Sequence, residues 1–95
     1  MEVIDIEEVE LIYVLVVLKS TGELFPEQFA ELPELKLAKL RNSDSTALRD
    51  QGIDGWALYK YTGPNWILED IYAHNAASTK TLQTYLTECL NHSYR

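Results

Sequence analysis

The chain has 95 residues, of which 46% are hydrophobic and 24% charged, and its formal net charge at pH 7 is −7. An intrinsically disordered chain needs a much lower hydrophobic content, and two separate cores at this length would each be too small to offset the chain entropy. An acidic surface also repels phosphate backbones, which argues against ordinary nucleic-acid binding. We therefore expect one folded domain over residues 1–95.

The cysteine content and the first residues predict the compartment. The lone cysteine, Cys89, cannot close an internal disulfide, whereas small secreted domains are usually rich in disulfides. The first ten residues contain five acidic side chains and no basic one, unlike the basic start of a secretion signal. The apolar run over residues 11–18 is too short to cross a bilayer. These features predict a cytoplasmic protein that does not enter a membrane.

The charges divide unevenly between two parts of the chain. Residues 1–34 contain nine acidic side chains and one lysine, which gives this part a net charge of −8. Residues 35–95 contain six acidic and seven basic side chains and are nearly neutral. A surface with the charge of the first part attracts a basic protein and accelerates its approach. The charge pattern therefore predicts a protein partner with a basic surface.

Residues 9–18, with the sequence VELIYVLVVL, form the first predicted element. Half of them are β-branched and the run is nearly continuous in apolar character, as in a strand that is buried on both faces. We interpret the segment as a central strand. The alternative is a helix that begins near Asp5, with Glu8 completing a capping box.

Turn residues and prolines divide the segment that follows. Residues 20–22 predict a turn, and residues 24–25 a short strand. Pro26 suits the first position of a helix over residues 26–32, and Pro33 would end that helix because proline removes a backbone donor.

Two further short helices are predicted between residues 34 and 51. Residues 34–41 favour a helix on composition, although their leucine spacing fits a strand equally well. Residues 42–45 are turn and cap residues, and they precede a short helix over residues 46–51 that ends at Gly52.

Residues 56–61 and 66–72 give the clearest signal of a β-hairpin. Both runs are rich in aromatic side chains, and the four residues between them include glycine and proline. A four-residue loop would pair Tyr61 with Trp66, Tyr59 with Leu68, and Ala57 with Asp70. One face of this hairpin then presents Tyr59, Tyr61, Trp66 and Leu68, and the other presents Trp56, Leu58, Ile67 and Ile71 together with Lys60 and Glu69.

The last predicted element is an amphipathic helix over residues 79–91, with Ser78 as its N-cap. Its apolar stripe consists of Leu82, Tyr85, Leu86, Cys89 and Leu90. The elements together predict an α+β fold, with a small antiparallel or mixed sheet covered by short helices and by this helix. A winged-helix-like fold is the alternative if residues 6–19 are helical and residues 56–72 form the wing.

No combination of residues in the sequence has the spacing of a known catalytic, metal-binding or phosphate-binding motif. Cys89, His92 and His74 could be imagined as zinc ligands, but neither CxxC nor HExxH is present, and Cys89 belongs to the apolar stripe. The run Ser43-Asp44-Ser45 is typical of a helix cap. The sequence therefore predicts a protein that is not an enzyme and has no cofactor and no bound metal.

The predicted function is that of a small accessory, regulatory or inhibitor-like protein that binds another protein. The predicted partner-binding residues combine acidic and aromatic side chains: Glu7, Glu8, Glu10, Glu23, Glu27, Tyr59, Tyr61 and Trp66. The alternative for the aromatic residues is that they pack beneath the final helix. The alternative function is a winged-helix-like regulator that binds nucleic acid. The sequence leaves the oligomeric state open, including a homodimer.

Overall fold

The structure, a computed structural model, describes residues 12–63 and 65–91. The chain forms an α+β fold in which a four-stranded sheet lies between helices. In chain order the elements are β1 (Tyr13–Lys19), β2 (Leu24–Phe29), α1 (Glu34–Asn42), α2 (Ser45–Asp50), β3 (Ile53–Tyr61), β4 (Trp66–Ala73), α3 (Ala76–Tyr85) and a π-helical turn (Leu86–Asn91).

The sheet has the order β2-β1-β3-β4, and every neighbouring pair is antiparallel. β1 lies inside the sheet between β2 and β3, as the β-branched run predicted, although residues 9–11 lie outside the described residues. The winged-helix alternative is wrong, because it required a helix in the segment that forms β1. Three β-branched valines in β1 favour the extended backbone.

The predicted helix over residues 26–32 is also wrong. β2 continues through Pro26 to Phe29, and Pro26 lies opposite Val16 at the edge of the sheet. An edge strand tolerates proline because half of its N–H groups face away from the sheet and need no partner strand. The helix predicted over residues 34–41 is confirmed as α1, which begins directly after Pro33.

The hairpin is confirmed, but its register changes part of the way along. Tyr61 pairs with Trp66 and Tyr59 with Leu68 as predicted, whereas Asp70 pairs with Leu58 instead of Ala57. Glu69, between Leu68 and Asp70, therefore has no pairing partner on β3 and forms a β-bulge. Because side chains alternate along a strand, the bulge moves Ile71 to the face that carries Tyr59.

Each face of the sheet has its own apolar core. The face covered by α3 and the π-helical turn buries Val14, Val16, Leu18, Ala57, Tyr59, Trp66 and Leu82. The face covered by α1 buries Leu15, Leu37, Trp56 and Leu58. Gly55 lies where β3, β4 and α3 approach one another, since a Cβ atom there would be 2.6 Å from the carbonyl oxygen of Tyr72.

The final helix begins and ends differently from the prediction. Asn75 is its N-cap, and its side chain accepts a hydrogen bond from the backbone N–H of Ser78 at 2.8 Å, so Ser78 is inside the helix and buried. The wider π-helical turn shifts the residues after Leu86 around the helix axis. Cys89 is consequently exposed, and the prediction that it lies in the buried stripe is wrong. Leu90 still packs on the core.

Candidate functional site

Two of the five acidic residues that were predicted to bind a partner, Glu23 and Glu27, lie within the part of the chain that the structure describes. Glu7, Glu8 and Glu10 lie outside the described residues. Glu23 and Glu27 are exposed on and beside β2, and Glu23 accepts a hydrogen bond from the hydroxyl of Thr21 at 3.3 Å. The carboxylate of Glu27 lies 2.5 Å from the amino group of Lys36 on α1. Glu27 therefore already has a basic partner within the chain.

The three aromatic residues of the predicted site lie in or against the core beneath α3. Tyr59 has 0% of its surface exposed, and its hydroxyl donates a hydrogen bond to the carbonyl oxygen of Leu82 at 2.5 Å. Trp66 is buried, and the half-buried ring of Tyr61 lies 5.3 Å from it between centroids. Tyr59 therefore has no surface with which to contact a partner. Burial, reinforced by nearby Tyr85 and Cys89, raises the pKa of Tyr59.

Asn91 forms a clamp on the edge of the sheet, and this contact was not predicted from the sequence. Its side-chain Oδ1 accepts from the backbone N–H of Trp66 at 2.8 Å, and its Nδ2 donates to the carbonyl oxygen of the same residue at 3.1 Å. The backbone groups of Trp66 face away from β3. Hydrogen-bonded and non-hydrogen-bonded pairs alternate along an antiparallel ladder, and the neighbouring pair of Thr62 and Asn65 is the hydrogen-bonded one. The clamp joins the end of the π-helical turn to β4.

The connection between β2 and α1 forms a shallow surface that we call the acidic depression. It has a volume of about 500 Å³ and is lined by Phe29, Glu31, Leu32, Pro33, Glu34, Leu35 and Lys36. Leu35 is 88% exposed and Leu32 is 40% exposed, so the two neighbouring leucines present apolar area to solvent. Residues 20–35 carry four glutamates and no basic residue, and Lys36, the one basic residue in the lining, is paired with Glu27. The depression thus combines apolar contact area with negative charge.

A second hollow, the α1 cleft, lies between α1 and the outer half of the sheet. It has a volume of about 290 Å³ and is lined by Leu15, Val17, Phe25, Glu27, Lys36, Lys39, Leu40, Ser43 and Gln51. Its floor is formed by apolar side chains of β1 and β2, among them Phe25, which is 48% exposed. The ion pair between Lys36 and Glu27 crosses from α1 to β2 beside it.

A third hollow of about 280 Å³ lies near the ends of α1 and β4 and has a more polar lining. Arg41 donates two hydrogen bonds to one carboxylate oxygen of Asp70, at 2.9 and 2.6 Å. The indole N–H of Trp56, which also lines this hollow, is buried and has no partner among the described residues. Such a donor requires an acceptor such as a water molecule.

The residues considered for metal binding or catalysis are dispersed. Cys89 is exposed, the Nδ1 atom of His74 lies 3.0 Å from the hydroxyl of Tyr72, and His92 lies outside the described residues. Asp44 caps α2 by accepting from the N–H of Ala47 at 2.8 Å. Within the described ranges, no group of three or more histidine, cysteine, aspartate or glutamate residues is arranged to hold a metal ion.

The described helices also bear on the predicted lack of a membrane segment. None of them combines the length and the apolar character that crossing a bilayer requires.

No family model matches the chain, and neither the curated proteins nor the solved structures include a significant match.

Proposed function

We propose that this chain is a small accessory or regulatory protein without enzymatic activity, and that it binds a protein partner with a basic surface. The observation that carries the proposal is the coincidence of charge and exposed apolar area. Three of the four large apolar side chains that are exposed among the described residues, namely Phe25, Leu32 and Leu35, lie in the segment that carries four glutamates and no base. Protein interfaces typically place apolar contacts within a polar rim.

Within this segment the acidic depression is the favoured contact surface. Glu31 and Glu34 border Leu32 and Leu35 there, so a basic side chain of the partner can pair with a carboxylate while its apolar neighbours cover the leucines. The predicted aromatic anchor is not part of this proposal, because Tyr59 and Trp66 are buried and the half-buried Tyr61 packs against the ring of Trp66. The nucleic-acid alternative also loses its support, because the fold it assumed is not the observed one.

The test compares two variants that change the net charge equally. Glu31→Lys with Glu34→Lys reverses the charge of the acidic depression, and Glu69→Lys with Glu88→Lys makes the same change at exposed positions on β4 and the π-helical turn. Each immobilised protein is used to capture partners from a lysate of the source cells, and the bound proteins are identified. We expect a basic protein that the parent and the second variant retain and the first variant loses.

The kinetics of the captured complex provide a second measurement. Raising the salt concentration from about 50 to about 500 mM should slow association far more than dissociation, because salt screens the long-range attraction. The proposal fails if both charge variants bind the partner as well as the parent does. It also fails if the parent binds DNA or RNA tightly with a steep dependence on salt, which would instead support a nucleic-acid function.

A further inference from the structure

The α1 cleft has the opposite electrostatic character to the acidic depression. Lys36 and Lys39 line it together with a single carboxylate, Glu27. Lys19 adds another positive charge, since its amino group lies 5.9 Å from the centroid of the Phe25 ring, which forms part of the floor. A chain with a net charge of −7 thus has three lysines around one apolar hollow.

The two lining lysines are not equivalent. Lys36 is neutralised by its 2.5 Å contact with Glu27. Lys39, by contrast, has no ion-pair partner among the described residues. Its side chain is exposed and belongs to the same helix that supplies Leu40 to the wall of the cleft. Of the two lysines that line the cleft, Lys39 is therefore the one that is available to a ligand.

We propose that the α1 cleft binds a small amphiphilic carboxylate, whose apolar body lies on Leu15, Val17, Phe25 and Leu40 and whose carboxylate pairs with Lys39. The volume of about 290 Å³ lies at the lower end of the range of small-molecule pockets, so the ligand is small. Pockets for small molecules typically combine such an apolar lining with a few polar groups that fix the orientation. This inference does not depend on the proposed function, because the cleft shares Lys36 alone with the lining of the acidic depression and its ligand has the opposite charge to the protein partner.

The experiment uses two probes of nearly equal size, octanoate and 1-octanol, in titrations followed by amide chemical shifts of the labelled full chain. Octanoate should give saturable shifts at the amides of Val17, Phe25 and Leu40. Lys39→Glu should weaken octanoate about tenfold, because it removes a charge-assisted contact, and should leave 1-octanol within about twofold. The matched control is Lys80→Glu, which changes the same charge on α3. It should leave both probes bound as in the parent.

A filled cleft provides the complementary test. Leu40→Trp should abolish binding of both probes, and its melting curve shows whether the variant folds. Val17→Phe fills the cleft from the floor instead and serves if the first variant is unfolded. The proposal is overturned if octanoate gives no saturable shifts, if its shifts map to other surfaces, or if Lys39→Glu and Lys80→Glu weaken it equally. Retention of octanoate by a folded variant with a filled cleft would overturn it as well.

Discussion

The two faces of the sheet are joined to their helices in different ways. On one face, α3 buries Leu82 completely, and hydrogen bonds from Tyr59 and Asn91 attach the helix and the π-helical turn to β3 and β4. On the other face, α1 buries Leu37, but beside that contact lies the cleft of about 290 Å³, crossed by an exposed ion pair. We call the first the closed face, because apolar and polar contacts together hold its helix, although a smaller hollow of about 210 Å³ lies at the start of α3. The second, which we call the open face, has the larger cleft beside α1. The chain thus separates the contacts that hold the fold from the surfaces proposed to bind.

The largest difference in stability between the two faces is expected when a leucine is replaced by alanine on each face. Leu82→Ala should lower the free energy of unfolding by about 3 kcal/mol, because it leaves a cavity in a fully buried site. Leu40→Ala, at the half-buried wall of the cleft, should lower it by about 1 kcal/mol, since the lost methyl groups are already partly exposed. Urea denaturation of both variants measures the difference. Equal losses would contradict the contrast between the faces.

The hydroxyl of Tyr59 provides the next test of the closed face. Tyr59→Phe keeps the ring but removes the hydrogen bond to the carbonyl oxygen of Leu82, so it should lower the free energy of unfolding by about 1–2 kcal/mol. Tyr13→Phe is the control, since Tyr13 lies at the start of β1 with its ring only half buried. Denaturation at neutral pH should show a small change in the control. A Tyr59→Phe variant as stable as the parent would show that this hydrogen bond contributes nothing.

The same tyrosine makes the fold sensitive to alkali. Its pKa is raised above the ordinary value of 10.0 by burial, so the unfolded chain releases this proton at a lower pH than the folded one. The stability that the neutral hydroxyl provides is therefore complete below about pH 10 and is lost as the pH rises towards the folded value. The stability of the parent, compared by denaturation at about pH 8 and about pH 11, should fall more than that of Tyr59→Phe. Parallel losses would assign the alkaline sensitivity to other groups.

A smaller effect is expected at the clamp between the π-helical turn and β4. Asn91→Ala removes both hydrogen bonds to the backbone of Trp66, and water can reach part of the exposed edge, so the loss should be about 1 kcal/mol. Glu88→Ala, an exposed change in the same turn, is the control. Thermal melting should distinguish the two variants, and amide exchange at Trp66 should accelerate in Asn91→Ala only. If the control accelerates that exchange to the same extent, the clamp is not its cause.

The smallest effect is expected at the ion pair on the open face. Glu27→Gln should change the free energy of unfolding by less than about 1 kcal/mol, because both partners are half exposed and water screens their attraction. Denaturation at low and at high salt checks this, since any contribution should shrink as the salt concentration rises. A larger loss that persists at high salt would show that the ion pair holds α1 against the sheet.

The elements whose signals are local can be predicted from the sequence. The β-branched run predicted β1, and the aromatic runs around a glycine-proline loop predicted the hairpin, because strand preference and turn chemistry act over a few neighbouring residues. The negative charge of residues 1–34, which include Glu31 and Glu34 of the proposed partner surface, is also evident from the sequence. Glu23 and Glu27 were predicted as partner-binding residues. The exposure of Leu35 could not be predicted, because the leucine spacing of α1 does not distinguish it from the buried Leu37.

Other features of the fold depend on contacts between different elements of the chain. The local sequence around Pro26 is compatible with the start of a helix. In the sheet, however, Pro26 lies in an edge strand opposite Val16, where the absence of its N–H group is tolerated. The bulge in the hairpin moved Ile71 to the α3 face, and the π-helical turn exposed Cys89. Each of these features depends on how one element packs against another, which the periodicity of a single segment does not contain. The α1 cleft likewise lies between elements that are separate in the sequence, so its shape exists only in the folded chain. The acidic depression, by contrast, is lined by residues of one segment, 29–36.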